Sequence, residues 1–376
     1  MRRPCVLGRR PAGLLAVALA GALAGGCTWL GWNEATWVLQ DLAAGDGASL
    51  LKANTPEPAR EAVDFQVEGR AYHADLYRPG ETPRAGLLLV PGAAPGGKDD
   101  PRLAAFARTL ARARFLVLVP DLPALRRFAL SQANVLPVAD AARHLRRRPS
   151  LPGLPVGIAA LSYSVGPAVL ASLEPDVELD FLLGIGGYYD LERAITYATT
   201  GCVPADAAWR CREPSDYARW AMLQSTLGHL PSAADRALLE RLAWYHLDSG
   251  EPLPAQPPDA LGPAGRAAYR LLRNRDPGRV EGLLRQLPAS AVKAIRALDL
   301  SRRDLAGLEL RLILVHGRDD PMVPPRESEA LAAALPEGRA RLFLVTGLAH
   351  VEIDPQRLDQ AELLAALRAL LAQRGP

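Results

Sequence analysis

Nothing in the 376 residues announces a bound cofactor. The chain has no glycine-rich nucleotide loop, no flavin signature and no histidines and cysteines at metal-ligand spacing, so neither cofactor nor metal is expected. It has no internal period, which excludes repeat architectures despite heavy use of Ala, Leu, Arg and Pro. Cysteine is scarce: Cys5, Cys27, Cys202 and Cys211 are the four. Two fall at the amino terminus, leaving Cys202 and Cys211 nine positions apart in mid-chain. In an oxidising compartment these two can form a disulfide worth roughly 2 to 3 kcal/mol in so short a loop; otherwise they stay thiols. A hydrophobic fraction of 49% excludes a disordered chain, and the length suits one sizeable domain with an insertion.

Positive charge is equally confined. Arg2, Arg3, Arg9 and Arg10 precede the apolar stretch Leu14–Leu23, and Ala24-Gly25-Gly26-Cys27 follows it. That order of basic, apolar and small residues reads as an export signal over residues 1–26. Small residues before a cysteine resemble a bacterial lipoprotein processing site, which implies lipidation of Cys27. An ordinary signal, or an uncleaved anchor over the uncharged residues 11–33, is the alternative. Either way the expected location is the cell envelope or periplasm, with the membrane reached through an N-terminal lipid or anchor. Removing the leader's four arginines, which no acid balances, takes the formal charge from +3 to −1. Nucleic-acid binding is therefore not expected. Arg143, Arg146, Arg147 and Arg148 read as the solvated end of a helix.

Chemistry first shows at Val156-Gly157-Ile158-Ala159-Ala160-Leu161-Ser162-Tyr163-Ser164. A buried strand here runs into a helix with a serine at the apex. Such a turn is crowded, so the residues two before and two after the serine must be small, as Ala160 and Ser164 are. Ser164, flanked by Ser162 and Gly166, is the alternative nucleophile. A second apolar run, Leu310–Val315, leads into His316-Gly317-Arg318-Asp319-Asp320-Pro321-Met322-Val323-Pro324. A third, Arg341–Val345, is followed by Thr346-Gly347-Leu348-Ala349-His350. Serine, acid and histidine thus each leave the carboxyl end of a strand, the edge of an open parallel sheet where ligands bind. Either aspartate can serve as the acid or as a turn residue. His316 reads as a structural residue at a strand end, and His73, His144, His229 and His246 lie in segments without a catalytic partner type.

With these motifs, residues 60 to 372 resemble the α/β-hydrolase superfamily, nearest to its esterase and dienelactone hydrolase-like branch. The phrase from His316 to Pro324 is similar to the superfamily's acid loop, which implies Asp320 as the triad acid. Gly347-Leu348-Ala349-His350 resembles the histidine loop, and Leu87-Leu88-Leu89-Val90-Pro91-Gly92-Ala93-Ala94 the strand and oxyanion loop. The resemblance implies a Ser162–His350–Asp320 triad, with the backbone N–H groups of Ala93 and Tyr163 as oxyanion donors. Dienelactone hydrolases proper carry cysteine where Ser162 stands, so lactone chemistry is not implied. The expected activity is hydrolysis of small carboxylic esters; a thioesterase or peptidase would use the same groups. A noncatalytic envelope lipoprotein acting as a binding module is the alternative of a different class.

Apolar strands alternating with helices predict an α/β fold, a mostly parallel sheet covered by helices on both faces. Residues 27–60 read as an arm whose Trp29, Trp32 and Trp37 suit docking on the domain or an interface. Residues 61–188 and 304–376 read as the two parts of the core, beginning with a hairpin from Val63 to Tyr77. Residues 189–303 carry no strand signal and read as a helical lid, with helices at Asp216–Leu227, Ala233–Leu247 and Ala264–Arg273.

Overall fold

A computed structural model describes residues 28–376 apart from 207, 250, 252 and 355. The leader and Cys27 therefore lie outside the described residues. Strands form where apolar runs meet turn residues. β1 (Ala59–Val67) and β2 (Arg70–Arg78) make the expected hairpin, joined by Glu68 and Gly69, both at positive φ of 49° and 78°. β3 (Ala85–Val90), β4 (Phe115–Pro120), β5 (Val156–Leu161) and β6 (Phe181–Ile185) follow, then a small hairpin of β7 (Cys202–Ala205) and β8 (Ala208–Cys211). β9 (Arg311–Gly317) and β10 (Ala340–Val345) complete the main set.

Eight of these strands build one sheet in the order β1-β2-β4-β3-β5-β6-β9-β10. The pairings of β1 with β2 and of β2 with β4 are antiparallel, and all the others are parallel. The chain places β4 on one side of β3 and β5 on the other. That reversal opens a crevice beyond the carboxyl ends of β3 and β5.

Side chains alternate across the sheet and divide the core in two. Leu88, Val90, Leu116, Leu118, Ile158, Leu182 and Leu314 share one face with the buried residues of helices Val135–Arg146 and Val165–Ala171. Leu87, Leu89, Phe115, Val117, Phe181 and Ile313 share the other with helices Thr28–Ala44, Pro101–Arg112 and Gln360–Leu371. Ala35, Val38 and Leu39 are buried there and Trp37 packs against the same cluster, so the arm docks on the domain. No helix among the described residues is long and apolar enough to cross a membrane.

The segment between β6 and β9 has a core of its own. Helices Leu191–Thr200, Asp216–Leu227, Ala233–Ser249, Pro263–Arg273, Val280–Leu284 and Ala289–Leu298 occupy it. Trp220, Leu223, Leu239, Leu272 and Val280 pack together there, and Phe128 enters from the loop after β4 to meet Trp220 edge-on, ring centroids 4.8 Å apart. The β7–β8 hairpin corrects the expectation that this segment contains no strands. Its strands are four residues each, interrupted by Pro204 and almost wholly exposed on β8, so no buried-exposed alternation marks them. They are held by pairing and by the Cys202–Cys211 disulfide, S–S 2.06 Å.

Candidate active site

At the end of β5 the chain turns sharply enough to push Ser162 into the left-handed region, φ 54°. A non-glycine residue is found there only when its surroundings impose it. The following turn, Ser162–Ser164, runs directly into helix Val165–Ala171. Space is tight along this path: a Cβ on Gly166 would fall 2.1 Å from the Tyr188 hydroxyl oxygen. Ser164 is fully buried and its hydroxyl donates to the Pro91 carbonyl at 2.6 Å. That bond occupies Ser164 and ties the turn to the loop after β3. The loop lies against Ser162, since a Cβ on Gly92 would sit 3.5 Å from the serine Cβ. Ala93 thereby reaches the cavity wall beside Ser162 and Tyr163. The Tyr163 N–H, in the first turn, has no intrahelical acceptor.

The acid loop separates its two aspartates by burial. Asp319 is exposed and faces Arg357 at 3.3 Å, while Asp320 is completely buried. Its Oδ1 accepts the N–H groups of Met322 at 2.7 Å and Val323 at 3.0 Å, and its Oδ2 accepts His350 Nδ1–H at 2.8 Å. Burial by itself raises the proton affinity of this carboxyl. The His316 and His350 rings beside it outweigh burial and hold it well below the usual carboxylate range. With Nδ1 as donor, His350 Nε2 is left to accept the Ser162 hydroxyl, 2.7 Å away. The histidine backbone is also left-handed, φ 61°, and Gly186 makes room for its ring: a Cβ there would lie 3.2 Å from Nδ1.

Three supports have no counterpart among the residues singled out in the sequence. Tyr197, on the first lid helix, donates its hydroxyl to the Asp320 carbonyl at 2.8 Å. Arg212, just after the disulfide hairpin, donates to the Asp319 carbonyl at 3.1 Å. Buried Glu327 accepts the N–H groups of Tyr189 and Asp190, at 3.0 and 2.7 Å, and Arg193 Nε–H at 3.0 Å. No local pattern signals them, because each acts across more than 100 positions of sequence.

Over Ser162 lies a cavity of about 160 Å³. Ala93, Tyr163 and Tyr188 line it from below, and the lid adds Ile195, Met222 and Ile295. His229, in a segment without a catalytic partner type, is also on its wall, where burial lowers its basicity. Three histidines are elsewhere: His73 beside Asp64, His144 stacked on Phe65, His246 beside Asp216. A larger cleft of about 490 Å³, bordered by Arg193, Trp209 and Arg326, contains none of Ser162, Asp320 and His350. Among the described residues no three His, Cys, Asp or Glu side chains are grouped to hold a metal ion.

Neither a family model nor a curated protein sequence matches the chain. Solved structures do. A ligand-bound form of the rice cell wall degrading esterase LipA from Xanthomonas oryzae superposes with a TM-score of 0.51 at 16% identity, covering 90% of this chain and 94% of that one. A mutant form of the same esterase gives 0.52 at 16% identity, over 89% and 92%. A dienelactone hydrolase from Anabaena variabilis aligns at 15% identity over 85% and 96%, TM-score 0.42. Together with the strand order and the helices on both faces, the esterase match shows that the chain has the α/β-hydrolase fold.

The two serines at the turn should separate in a simple comparison. Ser164→Ala leaves the Pro91 carbonyl buried without its donor and should cost about 1 to 3 kcal/mol in chemical denaturation. If Ser162 is the nucleophile, the variant should retain ester turnover within a few-fold of wild type; loss of turnover in a folded Ser164→Ala protein would reassign the role.

Proposed function

We propose that this protein is a serine hydrolase that cleaves carboxylic esters through an acyl-enzyme on Ser162. The observation that carries the reading is a single imidazole bonded on one side to the Ser162 hydroxyl and on the other to a buried carboxylate, beside a mostly apolar cavity. A serine hydroxyl is a poor nucleophile at neutral pH. His350 Nε2 takes its proton as Oγ attacks the ester carbon, and Asp320 holds the ring in the required tautomer and stabilises the imidazolium. The developing oxyanion is met by the N–H groups of Ala93 and Tyr163, each contributing on the order of 3 kcal/mol. The imidazolium then protonates the departing alkoxide, and water, deprotonated by the same ring, releases the acid. None of these steps calls for a metal or cofactor. The similarity in fold to an esterase agrees with this reading.

The cavity favours esters whose acyl or alcohol part is apolar, since each buried methylene contributes about 0.8 kcal/mol. The full chain should hydrolyse p-nitrophenyl esters, with kcat/KM rising with acyl length until the cavity is full. Ser162→Ala and His350→Ala should each lower kcat by about 10³-fold or more. Activity should also fall on acidification, as a proton on Nε2 blocks acceptance from Ser162. Turnover no faster than the buffer blank in all three proteins would leave the noncatalytic binding module as the better account.

We further propose that the protein is exported and held at the membrane through lipid on Cys27. The basic, apolar and small residues before Cys27 support this, and the Cys202–Cys211 disulfide suits an oxidising compartment. In a bacterial host, metabolically supplied palmitate should label the wild-type chain and not Cys27→Ser, which should leave the membrane fraction or remain unprocessed. Label retained in Cys27→Ser would overturn the assignment.

A further inference from the structure

His316 is a fully buried imidazole that the three-residue mechanism does not use. It sits on β9, four positions before Asp320, and its Nε2 lies 3.3 Å from Asp320 Oδ2, the same oxygen that receives His350. The same Nε2 is 3.0 Å from the Val323 carbonyl. Both neighbours only accept, so Nε2 carries a proton; it donates to the Val323 carbonyl, with Asp320 Oδ2 in polar contact beside it. The other nitrogen, Nδ1, is 2.7 Å from the Ser328 hydroxyl, itself buried on helix Arg326–Ala333. In the neutral ring Ser328 donates and Nδ1 accepts, so the serine selects the tautomer that His316 needs toward Asp320.

Oδ1 thus accepts two backbone N–H groups, while Oδ2 accepts His350 and has the His316 Nε2 beside it at 3.3 Å. Resting on the triad reading, we propose that Ser328 and His316 are positioning residues that extend the relay to five members, Ser328–His316–Asp320–His350–Ser162. His316 fixes the second oxygen of the acid at the correct rotation and draws part of its charge away from His350. The charged groups near this chain leave that arrangement alone. Asp319 and Arg357 pair with one another at the surface, and Glu327 turns to the loop after β6.

The same helix holds both ends of the device. Glu327 grips the backbone where the lid segment begins, and its neighbour Ser328 holds the histidine behind the acid. A shift of this helix would thus disturb lid and relay together.

The test uses the full chain and steady-state ester hydrolysis across pH, with unfolding measured in parallel. His316→Phe keeps a ring of similar size and removes the donor. It should lower kcat by about 10- to 100-fold, the cost of a small misplacement, at unchanged KM. The acid limb of its pH profile should move to higher pH, because Asp320 then turns more of its charge on His350. His316→Gln, whose amide N–H can replace Nε2–H, should recover most of the rate and the limb. Ser328→Ala retains the ring without its tautomer partner and should shift the limb in the same direction with a smaller loss, which decides the matter if His316→Phe does not fold. Wild-type kcat and pH profile in these variants, or a lower kcat with an unmoved limb, overturns the proposal while an inactive Ser162→Ala leaves the triad standing. Full activity in Ser162→Ala overturns the triad itself and this inference with it.

Discussion

A carboxylate sealed from water at Asp320 is the constraint on which the carboxyl edge of the sheet depends. Placing a charge in so dry a site costs several kcal/mol unless donors surround it. Here two backbone N–H groups and the His350 ring do so, with His316 in contact behind them, and burial then makes each bond stronger than it would be in water. The loop from Gly317 to Val323 has little freedom left. Its turn must present two amides to one oxygen, and its backbone is held from outside by Tyr197 and Arg212. Once the acid is fixed, the tautomer of His350 follows, and with it the nitrogen that faces Ser162.

The lid takes part in this arrangement as more than a cover. Tyr197 and Arg212 reach the acid loop from the lid segment, Arg326 reaches back to the Pro204 carbonyl on the hairpin, and Tyr188 donates to the Leu298 carbonyl at 3.1 Å. These bonds join a segment with its own apolar core to the sheet edge at several points. The cavity between them is bounded by both parts, so its walls and the Ser162–His350–Asp320 chain are set by one packing arrangement. Glycines mark where it is tightest: at 166 under Tyr188 and at 186 against the His350 ring.

Much of this was legible in the chain because the chemistry sits at strand ends. The run from Val156 to Ser164 predicts a strand, a sharp turn and a helix, and β5, the left-handed Ser162 and helix Val165–Ala171 follow that order. The acid loop after Gly317 and the segment before His350 likewise fall just beyond β9 and β10. Sequence left Ser162 and Ser164 open, and likewise Asp319 and Asp320, because neighbours in a turn differ only in which way they face. Burial and hydrogen bonding separate them. The β7–β8 hairpin was illegible because its strands lack alternation, and helices Leu191–Thr200 and Ala289–Leu298 were blurred by alanines that belong equally to any face. His229 reaches the cavity wall only when separate elements pack.

Covalent capture of the nucleophile tests the central claim most directly. A fluorophosphonate reagent forms a stable adduct only with a serine activated by its neighbours, and digestion with mass analysis locates it. The account predicts one phosphonyl group on Ser162 in the full chain and none in His350→Ala under the same conditions. An adduct on Ser164, or a chain that turns over esters while Ser162 stays unmodified, would contradict it.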